Sequence, residues 1–161
     1  MHSTFQHCRK FQGEIGRWDV SSVRTMFGMF QGCEVFNRDI SAWDVSSVNC
    51  FGCMFSRCFE FDQDIGCWDV SGADSMQSMF SDARSFNQDL RRWPVSDKVH
   101  HARMFYMTVA NDYYYKELPD IVLRYPDRHT DKLRLPETLL NWDEDGLGER
   151  EDAEEWDALG F

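Results

Sequence analysis

The sequence predicts an α/β repeat solenoid, in which coils of about 25 residues each supply one short parallel strand and one short helix. The first observation is a fixed period, since a repeat of roughly 20 to 50 residues indicates units that pack only on their neighbours. The second is that large apolar residues recur together at this period. The aligned positions are Phe11, Phe36, Phe61 and Phe86, then Trp18, Trp43, Trp68 and Trp93, and the Met-Phe pairs at 29–30, 54–55, 79–80 and 104–105.

The strand and the helix are predicted from spacing within the repeat at residues 36–60. Trp43 and Val45 are two residues apart and would share one face of a strand. Ser46 or Ser47 follows and can cap a helical turn. From Val48 to Cys58 the apolar residues recur every three or four positions, which is typical of a helix. The Ile-x-x-Trp-x-Val-x-x-Val spacing of residues 40–48 is similar to the unit of leucine-rich repeats, so the predicted coil is leucine-rich-repeat-like.

The period also predicts the domain organisation. The solenoid covers residues 1–110, as a half repeat at 1–10 and repeats at 11–35, 36–60, 61–85 and 86–110. Residues 111–142 contain three prolines between short apolar runs, which predicts an irregular C-terminal cap. Residues 143–161 hold nine acidic residues and one arginine, which predicts an extended acidic tail. Its large apolar residues are candidates for docking on a partner, namely Trp156, Leu159 and Phe161.

Composition restricts the partners. The chain has 161 residues and a formal net charge of −11 at pH 7, and nucleic-acid backbones are bound by basic surfaces. A nucleic-acid partner is therefore not expected. No run of about 18 apolar residues is present, which predicts no transmembrane segment. Residues 1–10 lack the apolar core of a signal peptide, and the sequence leaves the compartment open.

The string FNxDIsxWDVSxVxxMxxMF resembles the repeat of BspA-type leucine-rich-repeat surface proteins, a repeat also described from mycoplasma lipoproteins. The resemblance covers about residues 5–110. It implies a curved solenoid used for adhesion or other protein contacts, with no catalytic residues, and a cell-surface location in some members. The matching positions in one repeat are Phe36, Asn37, Asp39, Ile40, Trp43, Asp44, Val45, Ser46, Val48, Met54 and Phe55.

One polar motif is repeated beside the tryptophans, as an Asp followed two residues later by a Ser. Carboxylates in neighbouring coils, about 5 Å apart, would repel by roughly 3 kcal/mol at an effective dielectric near 20. Two interpretations stay open: local hydrogen bonds that fix a turn, or a basic partner seated on the carboxylates. The candidate partner-binding residues are Asp19, Asp44, Asp69, Ser21, Ser46 and Ser71.

The positions of the cysteines favour a role in core packing over metal binding or redox chemistry. Cys8, Cys33 and Cys58 are in register and predict a buried column of small residues. The pair Cys50 and Cys53 has metal or redox spacing, but zinc takes four ligands, and adjacent repeats offer none at these positions. We expect this pair on the outer helical surface. No metal, no cofactor and no catalytic residue are predicted, because no nucleophile–base pair or phosphate-binding loop is recognisable.

The function expected from the sequence is a non-catalytic repeat module that mediates protein–protein contacts, of scaffold or adhesion type. The alternative is an obligate structural subunit of a large multi-protein assembly that docks through its solenoid ends and acidic tail. The first class predicts a chain that folds alone as a monomer. The second predicts a chain that aggregates without its partners.

Overall fold

The computed structural model describes residues 1–108, and this part of the chain contains no helix. Its β-structure is confined to isolated bridges, among them parallel bridges that join Thr25 to Cys50, Cys50 to Ser75 and Ser75 to His100. The prediction of an α/β solenoid with one strand and one helix in each coil is therefore wrong. The predicted cap at 111–142 and the predicted tail at 143–161 lie outside the described residues.

The segments predicted as helices are instead series of overlapping turns. In one of them the N–H groups of Met54, Ser56 and Cys58 each donate to the carbonyl three residues earlier, at 3.1 Å. The same pattern recurs at the equivalent positions of the other repeats. We call these stretches the turn segments, and they comprise residues 1–8, 26–33, 51–58, 76–83 and 101–108.

The alternate amides of the first four turn segments bond to the next repeat. Phe51 donates to Ser75 O at 2.8 Å, and Cys53 donates to Gln77 O at 2.8 Å. Two more such bonds follow, from Phe55 to Met79 O at 2.9 Å and from Arg57 to Ser81 O at 2.8 Å. Backbone N–H groups are obligatory donors, and here half are satisfied within the turns and half between repeats. The repeats are thus stacked by a continuous row of hydrogen bonds.

This alternation of amide hydrogen bonds occurs with residues in the left-handed backbone conformation, at positive φ, which an α-helix does not contain. Gly28 has φ +58° and Gly32 has φ +71°, and the equivalent residues in the next repeat, Cys53 and Arg57, have φ +54° and +59°. A left-handed residue every four positions prevents a right-handed helix from propagating. Apolar residues at intervals of three or four then face the core because each turn returns the chain to the same side. Helical periodicity and this series of turns therefore produce similar sequence patterns.

The predicted strand around Trp43 is also absent. The amide of Trp43 donates to Ile40 O at 3.1 Å, and the amide of Val48 donates to Val45 O at 2.9 Å, so both stretches are turns. Parallel bridging occurs at Cys50 and its equivalents, just before each turn segment. The apolar side chains at 40, 43, 45 and 48 nonetheless point into the core, where all are buried.

Two columns of phenylalanine rings run through the core. The centroids of neighbouring rings are 5.5 to 5.7 Å apart in the first column. In the second column they are 5.8 to 6.0 Å apart. The two columns also touch each other, as the ring centroids of Phe55 and Phe61 do at 4.0 Å. Offset ring contacts at these separations stabilise beyond simple burial. The first column is Phe5, Phe30, Phe55, Phe80 and Phe105, and the second is Phe11, Phe36, Phe61 and Phe86.

Polar side chains add a further contact between repeats. The side-chain oxygen Oδ1 of Asn37 accepts the backbone N–H of Asp62 at 3.0 Å and the amide of Gln63 at 2.7 Å. One repeat later, Asp62 Oδ1 accepts from the N–H of Asn87 at 2.8 Å and from Gln88 at 2.7 Å. These bonds tie the repeat at 36–60 to the repeat at 61–85, and that repeat to the one at 86–110, beside the second phenylalanine column.

The left-handed positions generate a stability prediction. Arg57 is exposed and has φ +59°, a conformation that costs an L-residue about 1 kcal/mol and glycine little. Arg57→Gly should raise the free energy of unfolding by up to about 1 kcal/mol, measured by urea denaturation.

The reverse change provides the control. Gly32→Ala should lower the free energy of unfolding, because φ there is +71° and the new Cβ would lie 2.7 Å from His7 Nδ1. Arg57→Ala keeps a Cβ and should gain nothing. Equal stabilities for Arg57→Gly and Arg57→Ala would contradict the assignment of strain at this position.

Candidate functional site

A row of identical Asp-x-Ser turns lies on the surface of the stack. Asp44 Oδ1 accepts two hydrogen bonds from Ser46, from its backbone N–H at 3.1 Å and from its hydroxyl at 2.6 Å. All three aspartates and all three serines of the row are exposed. The structure thus makes each pair a local turn, and we call the three pairs the acidic row: Asp19 with Ser21, Asp44 with Ser46, and Asp69 with Ser71.

The acidic row is ionised at neutral pH. The side-chain hydrogen bond from Ser46, followed by the backbone one, lowers the pKa of Asp44 below its ordinary value of 3.8. Repulsion from Asp19 and Asp69 opposes this, but the hydrogen bonds outweigh it. The pKa values of Asp19 and Asp69 are lowered by the equivalent serine contacts. Hydrogen bonds from the local serines therefore offset the repulsion expected between neighbouring carboxylates.

A second carboxylate row was not predicted as a surface. Asp39 Oδ1 accepts the N–H of Ser41 at 2.9 Å, and Asp64 Oδ1 accepts the N–H of Gly66 at 3.0 Å. The third member, Asp89, also forms an ion pair with Arg91 at 2.6 Å. The signal was available in the sequence, because the Asp-Ile and Asp-Leu pairs recur with the same period as the Trp-Asp pairs. This row provides a matched control for experiments on the acidic row.

The tryptophans connect successive repeats. The indole N–H groups of Trp43, Trp68 and Trp93 donate to an isoleucine carbonyl of the preceding repeat, at 3.0, 3.2 and 3.0 Å. The rings of Trp43 and Trp68 stack at 6.5 Å. These three side chains are buried, whereas Trp18 is 40% exposed.

The column of cysteines is buried except at one end. The Cys33 thiol donates to Phe5 O and the Cys58 thiol donates to Phe30 O, each at 3.0 Å. Burial raises the pKa of Cys33 to about 12 and the pKa of Cys58 well above its ordinary value. These thiols are protonated and act as small apolar groups. Cys8 lies at the end of the column and is exposed.

The Cys-x-x-Cys pair does not lie on an outer helical surface, and that prediction is wrong. Cys53 is buried, which raises its pKa to about 11, and Cys50 is half-buried at the parallel bridges. The pair lies at the start of a turn segment that bonds to the next repeat, where the N–H of Cys53 donates to Gln77 O at 2.8 Å, and not on a helix. Within residues 1–108, no three His, Cys, Asp or Glu side chains are grouped to hold a metal ion.

The remaining candidates for partner docking, Trp156, Leu159 and Phe161, lie outside the described residues. In the part of the chain that the structure describes, no helix has the length and apolar character to cross a membrane.

These features define a repeat protein built from stacked, non-helical coils, in which equivalent residues such as Asn37 and Asp62 are 25 positions apart. A family model described as "Mycoplasma protein of unknown function, DUF285" matches residues 1–116. The chain belongs to this family. No curated protein and no solved structure matches it. Membership agrees with the mycoplasma-type repeat noted in the sequence, and the description of the family assigns no activity.

The serine contacts generate a prediction about titration. Ser46→Ala removes the largest cause of the lowered pKa of Asp44, so that pKa should rise toward 3.8, measured by NMR titration of the carboxyl carbon. Because the folded-state pKa is lowered, the Asp44–Ser46 contact stabilises the fold above the ordinary pKa. This contribution disappears as the pH falls through the lowered value. Ser47→Ala is the control and should leave the pKa of Asp44 unchanged.

Proposed function

We propose that the chain is a non-catalytic repeat module that mediates protein–protein contacts through the acidic row. The observation that supports this most directly is the regular placement of exposed, ionised carboxylates on a stacked core. Each carboxylate occurs at the same position of its coil, so the row has the periodicity of the stack. The partner that fits such a row is a protein surface or segment that presents arginine or lysine side chains.

The local bonding favours binding by these carboxylates. Both hydrogen bonds from Ser46 end on Oδ1 of Asp44, so neither uses Oδ2. A side chain that is held before binding loses less conformational entropy when a partner arrives. Guanidinium groups bond carboxylates with charge-assisted hydrogen bonds. A single exposed ion pair contributes only about 0.2–1 kcal/mol, so useful affinity requires several members of the row together.

The resemblance to BspA-type surface proteins supports the same class of function. Those proteins use related repeats for adhesion or other protein contacts, and no catalytic residues come with the resemblance. We therefore place this chain among scaffold or adhesion modules. The adhesion or scaffold role is proposed from this resemblance, because the description of the DUF285 family assigns no function.

Removing two members of the acidic row tests the proposal. The tagged full-length chain and an Asp44→Asn, Asp69→Asn variant are used to isolate binding proteins from the source cell. The dissociation constant of each purified binder is then measured at several salt concentrations. For the true partner, the variant should bind about fivefold or more weakly, because two exposed ion pairs are lost, and should show a reduced salt dependence.

An equal change of charge on the second row is the control. Asp39→Asn with Asp64→Asn removes the same charge from carboxylates that also accept a local N–H bond. This variant should bind like the unmodified chain. A partner that binds both variants and the unmodified chain with the same affinity would move the binding surface away from the acidic row.

The alternative is an obligate structural subunit of a large assembly. It is favoured by the exposure of Trp18, because its equivalents Trp43, Trp68 and Trp93 are buried and aromatic side chains are enriched where proteins contact each other. An obligate subunit should aggregate when it is expressed alone. An independent module should be a soluble monomer with a single cooperative melting transition, measured by light scattering and circular dichroism.

A further inference from the structure

Cys50 and Cys53 form a pair of thiols that the repeating core does not require. At these two positions the other repeats carry no sulfur. The equivalent residues are Thr25, Ser75 and His100 for the first position, and Gly28, Ser78 and Arg103 for the second. The pair is therefore specific to the repeat at 36–60, unlike the buried cysteine column, whose members recur from coil to coil.

The two thiols of this pair differ in their access to solvent. Cys50 is half-buried, at the parallel bridges, whereas Cys53 is only 7% exposed. Burial raises the pKa of Cys53 to about 11, which leaves little of its reactive thiolate at neutral pH. A small molecule can therefore reach the first thiol, while the second is sheltered beside it. Thiol–disulfide exchange uses such an order of attack, because the second thiol reacts with the bond formed on the first.

The backbone brings the two residues close together. The N–H of Met54 donates to Phe51 O at 3.1 Å and closes a turn directly after Cys50, and Cys53 lies within this turn at φ +54°. After burial, electrostatic repulsion from Cys50 is the next cause of the raised pKa of Cys53. Charged groups have their main effect on each other's pKa within about 4–6 Å. The thiols are therefore near neighbours, as an internal disulfide requires.

The pair is separate from the other thiols of the chain. All six cysteines lie within residues 1–108. In the cysteine column, repulsion from Cys8 acts on the pKa of Cys33, and repulsion from Cys33 acts on the pKa of Cys58. The thiol that acts in this way on Cys53 is Cys50. Each of these two cysteines thus has the other as its partner for oxidation.

We propose that Cys50 and Cys53 form a reversible thiol–disulfide site, which small-molecule disulfides oxidise and small thiols reduce. The Cys50 thiolate attacks one sulfur of the small disulfide, forms a mixed disulfide and releases one thiolate. The Cys53 thiolate then attacks the Cys50 sulfur, which closes the internal disulfide and releases a second thiolate. Each protein thiol loses one proton, and the two electrons reduce the small disulfide to two thiols.

The site lies on the row of hydrogen bonds that stacks the repeats. The carbonyl of Cys50 accepts the N–H of Met26 at 2.9 Å, and the N–H of Cys53 donates to Gln77 O at 2.8 Å. A disulfide would therefore link two residues that bond to the preceding and the following repeat. This site is separate from the acidic row and does not depend on the function proposed above.

Oxidation by glutathione disulfide tests the site in the full-length chain. Cys8→Ser and Cys67→Ser remove the two exposed thiols, which leaves Cys50 as the most accessible cysteine of this background protein. The protein is equilibrated with mixtures of reduced and oxidised glutathione at neutral pH, quenched with acid and alkylated. Mass spectrometry of proteolytic fragments should locate one internal disulfide, between Cys50 and Cys53. An excess of reduced glutathione should reverse it.

Serine variants of the background protein separate the two roles. Serine occupies both positions in the next repeat, at Ser75 and Ser78, so each replacement suits the coil. With Cys53→Ser, the reaction should stop at the mixed disulfide between Cys50 and glutathione. With Cys50→Ser, Cys53 should react about tenfold or more slowly than Cys50 does in the background protein, because Cys53 is buried.

Three outcomes would overturn the proposal. The first is a background protein that retains glutathione on Cys50 and forms no internal disulfide. The second is a disulfide that forms only when urea unfolds the chain, which would show that the fold keeps the thiols apart. The third is equally fast oxidation of Cys53 in the Cys50→Ser variant. The variants of the acidic row should be oxidised normally, so failure here and failure of the proposed function are distinguishable.

Discussion

The structure depends on an alternating pattern of hydrogen bonds from the backbone amides of the turn segments. In the first four turn segments, every second N–H bonds within a turn and the others bond to the next repeat, as Met54 and Phe55 illustrate. Only a chain with left-handed residues at regular positions can sustain this pattern. Since the inter-repeat bonds join corresponding positions of successive coils, they require a constant repeat length. The fixed period is therefore a physical requirement of the hydrogen-bond row.

The aromatic core follows from that constraint. When equivalent residues lie directly above one another, identical rings form columns, and the interior of each coil is filled by the coils on either side. The contact between Phe36 and Phe61 at 6.0 Å is repeated along the second phenylalanine column with little variation. The first described coil has a described neighbour on one side only. The differences between Trp18 and Trp43, and between Cys8 and Cys33, are consequences of this position rather than of local sequence.

Sequence reasoning identified the apolar positions better than the backbone conformation. The residues at 40, 43, 45 and 48 are buried, although the predicted strand is absent. The helix from Val48 was wrong because turns that return the chain every three or four residues bury the same positions. Gly28 and Gly32 argued against a helix in the sequence, since two glycines four residues apart are unfavourable inside a helix. In the next repeat Cys53 and Arg57 replace them and conceal that signal. Cys53 was predicted on the surface because the residues at its equivalent positions, Gly28, Ser78 and Arg103, are mostly polar.

The sequence by itself determined the period, the residues that recur with it and the sign of the exposed charge, because these are properties of composition and spacing. It also marked the Asp-x-Ser pairs, whose bonds are local and reach only two residues along the chain. Only the tertiary structure decided how the backbone satisfies its amides, since the acceptors of half of them lie in the next coil, as Ser75 O does for the N–H of Phe51. The tertiary structure alone distinguished the buried tryptophans from Trp18, because the exposure of each ring depends on whether a neighbouring coil packs against it.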